Sequence, residues 1–256
     1  MEAIVLLVSA FGASGALWAW QNRARMREDA ARKKQIATML DESMQVALEL
    51  AKHAASTRNQ PLAPLHVLYA IVQDEAVAAA IDELGGDRAA LDNALDNALD
   101  TLDPRTDPRA GKQLLGSGLG LAHATGRMMT LADALIMLDR TGHAKLLDAP
   151  PLSAHALVFR LVHGTTPPEA TLPRETHVHV VLRNDDYTTQ DFVVHVLRDV
   201  FALPEAEAVT KMRATHETGR AIVGRYAAAV AKDKIEQVRR DAAKHHMPLW
   251  IEVEVC

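Results

Sequence analysis

Residues 3–20 carry no charged side chain, and Ile4, Val5, Leu6, Leu7, Val8, Phe11, Leu17, Trp18 and Trp20 are separated only by small or hydroxyl residues. A helix across a bilayer needs about 20 apolar residues, with a range of roughly 17–25, so the run predicts a short transmembrane helix. Trp18 and Trp20 stand where an interfacial aromatic belt belongs, and Arg23, Arg25 and Arg27 follow at once. Basic residues mark the cytoplasmic side, and a secretory signal would carry its positive charge ahead of the apolar run. The pattern predicts an uncleaved anchor over 1–22 with the body of the chain in the cytoplasm; a cleaved signal or a buried helix is the alternative. Gly12 and Ala16 form a small-xxx-small pair of the kind found between associating membrane helices. Residues 23–34 are polar and charged and predict a stalk.

From 36 to 102 the apolar spacing is helical. Val46, Leu50 and His53 fall on one side of a first helix. Pro64 opens a second over 64–72, a third over 76–84 stops at Gly85 and Gly86, and Asp87 caps a fourth over 88–100 that aligns Leu91, Leu95, Leu99 and Leu102. Residues 103–112 have linker composition. The spacing of Leu62, Leu65, Val67, Leu68 and Ile71 then returns in Met129, Ala132, Ala134, Leu135 and Leu138. That echo predicts two copies of one four-helix unit packed together over 35–163. Gly116, Gly118 and Gly120 fall inside the first helix of the second copy and weaken it. Thr165, Thr166, Pro167 and Pro168 mark a tether over 164–175.

Residues 176–256 read strand, helix, helix, strand, helix, strand. Val178, Val180 and Leu182 alternate in the first strand, and Phe192, Val193, Val196, Leu197, Val200 and Phe201 recur at helical spacing after it. Val230, Ile235 and Val238 point inward from the third helix, and Leu249, Ile251, Val253 and Val255 share a face of the last strand. The expected architecture is an N-terminal transmembrane helix, an all-α pseudo-repeat domain and an α+β domain of order β-α-α-β-α-β.

Composition narrows the chemistry. A net charge of −5 and scattered arginines leave no basic stripe for nucleic acid. The single cysteine, Cys256, excludes an intramolecular disulfide framework and a thiolate metal cluster. Apolar residues reach 48% while aromatics are only 4%, which favours helices packed through small residues. No P-loop pattern occurs, so no nucleotide binding is expected, and the glycines at 116, 118 and 120 lack both the spacing and the preceding strand of a dinucleotide site. The 12 histidines form no set with metal-ligand spacing, so no metal or cofactor is expected. No Gly-x-Ser-x-Gly exists, and nothing supports an enzyme.

One stretch carries recognition chemistry. Asn184, Asp185 and Asp186 lie between the first strand and the helix that follows, and Thr188 with Asp191 three residues on reads as that helix's N-cap. Two carboxylates and an amide with no compensating cation suit a small cation such as an amine. A solvated Asx-type turn is the alternative.

Three separated segments resemble the ClpS family of protease adaptors in order and spacing: His179-Val180-Val181-Leu182-Arg183-Asn184-Asp185-Asp186-Tyr187-Thr188, then Lys211-Met212-Arg213-Ala214-Thr215-His216-Glu217-Thr218-Gly219-Arg220-Ala221-Ile222-Val223-Gly224, then His246-Met247-Pro248-Leu249. The resemblance covers 176–255 and implies a domain that binds proteins by a destabilising N-terminal residue, an N-degron, and hands them to a Clp ATPase of the ClpA or ClpC kind. By the same resemblance Asn184, Asp185 and His216 would hold the free α-amino group. Asp186 would support Asp185 or the helix start, Thr188 would line the rim, and Val193, Met212 and Leu249 would form apolar walls. Without the resemblance, His216 reads as a helix-capping histidine and the walls as plain core.

The chain departs from the family at Gln190, where methionine usually gates the pocket, at Thr215, where valine is common, and at Ala229, which replaces an acidic residue used to dock on the ATPase; Lys234, the other docking residue, is kept. Residues 35–163 resemble the N-terminal domain of Clp/Hsp100 ATPases through Met44-Gln45-Val46-Ala47-Leu48-Glu49-Leu50-Ala51, Leu65-His66-Val67-Leu68-Tyr69-Ala70-Ile71 and Val158-Phe159-Arg160-Leu161-Val162-His163-Gly164. Together these imply a single-pass protein of the bacterial inner membrane that presents N-degrons to a Clp protease. The other reading is a scaffold or regulatory module that binds Clp components or sequesters substrates without delivering them.

Overall fold

The computed structural model describes residues 35–103, 105–168 and 177–256. The expected anchor over 1–22, the stalk over 23–34 and most of the tether lie outside the described residues. Among the described residues no single helix is long and apolar enough to cross a membrane.

The first half is helical, and side chains set its boundaries. Helix α1 (Glu42–Thr57) begins where Asp41 accepts the Met44 N–H at 2.7 Å. Its buried stripe is Met44, Ala47, Ala51 and Ala54, while Val46 is 65% exposed. The expected Val46–Leu50–His53 face is therefore not the packed one. Small alanines let α1 approach its neighbours closely, and the four-residue alanine spacing prevails over the single larger valine. Helices α2 (Pro64–Val72), α3 (Glu75–Glu83) and α4 (Arg88–Asp100) follow, with Asp74 and Asp87 capping the last two. Leu91, Leu95 and Leu99 are buried as the heptad-like spacing requires.

Helices α5 (Ala110–Ala124), α6 (Leu131–Arg140) and α7 (Ala154–His163) make the second group, with a 3₁₀ turn over Lys145–Leu147. Thr130 and Asp133 close a capping box on α6. Met129 exchanges backbone hydrogen bonds with Met39 and Asp41 at 2.8 and 3.0 Å, joining the entry of α6 to the entry of α1. Residues of both groups, from Met44 and Leu68 to Leu135 and Leu157, share one continuous core. The three glycines do not break α5. A Cβ on Gly118 would lie 2.4 Å from Met129 Cε, so the glycine permits a close approach, whereas Gly116 and Gly120 face open space.

The second half has the predicted order: β1 (His177–Arg183), α8 (Gln190–Asp199), α9 (Glu205–Thr218), β2 (Arg220–Ala227), α10 (Ala228–Lys244) and β3 (Trp250–Val255). The sheet order is β2-β1-β3, antiparallel throughout, so β1 is central. Val178, Val180 and Leu182 are fully buried against Val196, Leu197, Ile235 and Val238. Helix α10 buries Ala231, Ile235, Val238 and Ala242, the i, i+4, i+7 and i+11 positions of one face. Val230, expected inward, is 45% exposed because it stands one residue off that stripe.

Candidate functional site

Strand β1 ends at Arg183, and after a loop of six residues α8 begins at Gln190. Asp185 organises the loop between them. One carboxylate oxygen accepts the N–H groups of Tyr187 at 2.8 Å and Thr188 at 2.5 Å, and the other accepts the Thr188 hydroxyl at 2.8 Å. This is an Asx-type turn reinforced by a hydroxyl. It also corrects the helix cap. Thr188 is committed to Asp185, and Thr189, in an extended conformation, accepts the Phe192 N–H instead at 3.3 Å. Gln190 is thus the first residue of α8, exposed at the loop's edge.

A cavity of about 460 Å³ opens beside this loop. Val193 from α8, Leu249 ahead of β3 and Met212 and Thr215 from α9 line its depth; Val193 and Leu249 belong to the domain core and Met212 packs against it. Asn184, Asp185 and His216 line its polar side, with Asp186, Thr188 and Gln190 completing the loop-side boundary. Every residue singled out in the sequence as an N-degron contact borders this one cavity. The Asn184 N–H donates to the Gly219 carbonyl at 2.9 Å, which ties the loop to the end of α9 where His216 stands. Gly219 ends α9 at a positive φ of 84°. Thr215 is buried, and its hydroxyl donates to the Lys211 carbonyl at 2.8 Å, so this polar substitution presents the cavity with no free donor.

The electrostatics favour a cation with hydrogen-bond donors. Burial raises the Asp185 carboxyl above its ordinary value, opposed by the hydrogen bonds from Thr188 and Tyr187 and by nearby His163. An ionised carboxylate offers about four acceptor positions, and the loop fills three of them. One remains, and Asn184 and His216 line the same cavity. An ammonium has three donors and no acceptor, and this trio matches it. Among the described residues no group of three or more His, Cys, Asp or Glu side chains is placed to hold a metal ion.

The family model for the ATP-dependent Clp protease adaptor protein ClpS matches residues 173–252, and the Clp repeat N-terminal domain model matches 39–135. The Clp protease adapter protein ClpS of Hydrogenovibrio crunogenus is 42% identical over 95 residues, which is 37% of this chain and 89% of that protein. The chain belongs to the ClpS family. The Myxococcus xanthus ClpS is 39% identical over 87 residues, 34% of this chain and 81% of that protein. Among solved structures, Agrobacterium tumefaciens ClpS2 bound to L-phenylalaninamide is 31% identical, covers 32% of this chain and 98% of its own, and has a TM-score of 0.31. The Candida albicans Hsp104 N-terminal domain is 13% identical, covers 50% of this chain and 93% of its own, and has a TM-score of 0.41. These ClpS relatives are adapter proteins, not enzymes, and this chain joins such a domain to a Clp_N-type helical domain.

Lys234, on α10 of the ClpS domain, donates to the Val200 carbonyl at 2.5 Å, and its ammonium lies 5.5 and 5.8 Å from the Phe201 and Tyr226 rings. The helical domain packs on a different side, at the cavity. The Arg127 guanidinium lies 3.9 Å from the Tyr187 ring centroid and makes a two-pronged ion pair with buried Asp133 at 2.6 and 2.7 Å. The Tyr187 hydroxyl meets Thr130 at 3.1 Å. His246, at a positive φ of 55°, pairs with Asp139 at 2.5 Å, and His163 donates to the Pro248 carbonyl at 2.6 Å. Ala124 and Thr125, at the end of α5, line the cavity together with Arg183 and Thr189. Sequence reasoning missed these four: two are small residues in another domain, with no pattern linking them to the loop.

Proposed function

We propose that this chain is a membrane-tethered ClpS-type adaptor. Its cavity takes the free α-amine and bulky apolar first side chain of an N-degron, and the bound protein is presented to a Clp ATPase. The observation that carries this reading is the cavity itself, where Asn184, Asp185 and His216 stand over an apolar depth formed by Val193, Met212 and Leu249. The uncharged run over 3–20 with arginines behind it supports the tether, and the kept Lys234 supports docking on the ATPase.

The test is fluorescence anisotropy with one peptide series differing at the first residue, each member free and acetylated. Acetylation removes the charge and two donors, so it should weaken binding at least tenfold; equal affinity for both forms would sink the reading. Tethering is tested separately by carbonate extraction, in which the intact chain stays with the membrane pellet.

The Lys234 contact favours a second reading for the delivery step. An ammonium directed at the Val200 carbonyl, on a helix that carries Ala229 in place of an acidic residue, offers a weaker dock, as in a module that holds substrates back. Adding the full-length chain to an N-degron degradation assay separates the two: turnover rises under delivery and falls under sequestration.

A further inference from the structure

The helical domain touches the cavity at more places than a passive neighbour would. Ala124 and Thr125 at the carboxy end of α5 line it directly. Tyr187, inside the turn that Asp185 organises, is held between Arg127 and Thr130. In the depth of the cavity Leu249 is flanked by two residues that the same domain grips. His163 bonds the Pro248 carbonyl, and Trp250 sits 5.9 Å from the Phe159 ring and 5.0 Å from the His163 ring, centroid to centroid. Both the loop and the segment around Leu249 are therefore anchored to one external body, which also supplies part of the lining.

We propose that the N-degron site is a two-domain site, in which the end of α5 forms the wall that the second residue of the bound chain passes. This rests on the N-degron reading given above. With the α-amine at Asn184, Asp185 and His216 and the first side chain directed toward Val193, Met212 and Leu249, the peptide must leave along the remaining boundary. A cavity of about 460 Å³ falls within the roughly 300–1,000 Å³ of pockets that hold drug-sized ligands, so it has room for more than one side chain. The α5 end offers small side chains there. The Thr125 hydroxyl is directed back to the Ala122 carbonyl at 2.9 Å, which leaves a low wall with no free donor. The chain thus reads the bulk of the second residue as well as the identity of the first, and its selectivity depends on the helical domain packed in cis.

The test uses the full-length chain and peptides of constant first residue, with glycine, leucine or tryptophan second. Thr125 is exposed, so Thr125→Trp adds bulk to the wall without disturbing a core. It should weaken binding of the leucine and tryptophan peptides about tenfold or more, as overpacking does, and the glycine peptide by less than about threefold. A thermal melt checks that the variant is folded. A second measurement does not depend on tolerance of tryptophan: in a Cys256→Ser background, Thr125→Cys is labelled with a maleimide. Saturating free-amine peptide should slow labelling at least fivefold, and the acetylated peptide should not. Wild-type binding that ignores acetylation overturns the N-degron reading and this inference with it. Acetylation-sensitive binding with an indifferent Thr125→Trp and unprotected labelling at position 125 overturns this inference alone.

Discussion

Thr188 grips both oxygens of Asp185, one through its N–H at 2.5 Å and the other through its hydroxyl at 2.8 Å. The carboxylate that faces the cavity is thus also the keystone of the loop that carries it. Asp185→Ala removes the charge partner of the bound ammonium and unties the loop together. Truncating one partner of a buried charged pair costs about 2–5 kcal/mol, so peptide affinity should fall more than tenfold. Thr188→Val leaves the charge and removes one hydroxyl donor, and should cost less. Anisotropy titrations of the two variants check the ranking.

Binding should also follow pH with opposite signs for ligand and fold. Burial lifts the Asp185 carboxyl above 3.8 in the free protein. A native state that holds this proton more tightly than the unfolded chain gains stability from the group as pH falls through the raised value. Peptide affinity moves the other way, because an ammonium favours the ionised carboxylate. Acidification should weaken binding at a pH above the ordinary carboxylate range. On the alkaline side affinity should decline as the peptide's own amine, with a pKa of about 7.7–8.0, loses its proton. Asp185→Asn should flatten the acid limb; an unchanged limb would show that Asp185 does not carry it.

A buried histidine makes the helical domain acid-sensitive. His66 is fully buried, accepts the Ala63 N–H on Nδ1 at 3.1 Å and meets the Gln60 side-chain oxygen through Nε2 at 3.0 Å. That pairing requires the neutral ring, and burial holds its pKa below 6.5. The unfolded chain therefore takes up the proton first, and stability falls as pH drops below about 6.5. Burial depresses His155 as well, with the same sign. His66→Gln should reduce the slope of melting temperature against pH between about 5 and 7, and adding His155→Gln should reduce it further.

Glycines within α5 should respond in opposite directions. A Cβ on Gly111 would lie 2.5 Å from the Leu62 carbonyl oxygen, and backbone does not yield easily. Gly111→Ala should destabilise by about 1–3 kcal/mol. Gly116 and Gly120 have open space at the same position, and alanine there should stabilise by up to about 1 kcal/mol through helix propensity. Chemical denaturation of the single variants decides it.

The cavity was legible because its parts lie in three short segments whose spacing is preserved, and two of them sit at ends of adjacent elements. The strand–turn–helix around Asn184 and Asp185 follows from alternation passing into helical spacing, and Gly219 marks where α9 must stop near His216. What was not legible had no local signal. Thr188 and Thr189 are equally good caps as residue types; only the Asp185 geometry assigns them. Val46 and Val230 outweigh alanine on any hydrophobicity count, yet close helix packing selects Ala47 and Ala231. Tyr187 and Thr130 are 57 positions apart, and a tyrosine in a loop carries no sign that another domain holds it.

Gln190 offers the last prediction. It is exposed at the first position of α8, on the boundary of the cavity and three residues before Val193 in the wall. The amide it presents can hydrogen-bond water or a polar ligand group, so closing over a purely apolar first side chain leaves that amide poorly solvated. Methionine is nearly the same length, flexible and without an obligatory hydrogen bond. Gln190→Met should therefore tighten binding of peptides beginning with leucine or phenylalanine and leave those beginning with smaller or polar residues unchanged. Removing an imperfectly paired polar group from a buried contact is worth about 1–3 kcal/mol, so the gain should be about fivefold or more for the apolar set. The position is solvent-exposed, so folding should be unaffected, and a melt confirms that point. A uniform change across the whole peptide series would show that residue 190 acts on the loop and does not touch the first side chain.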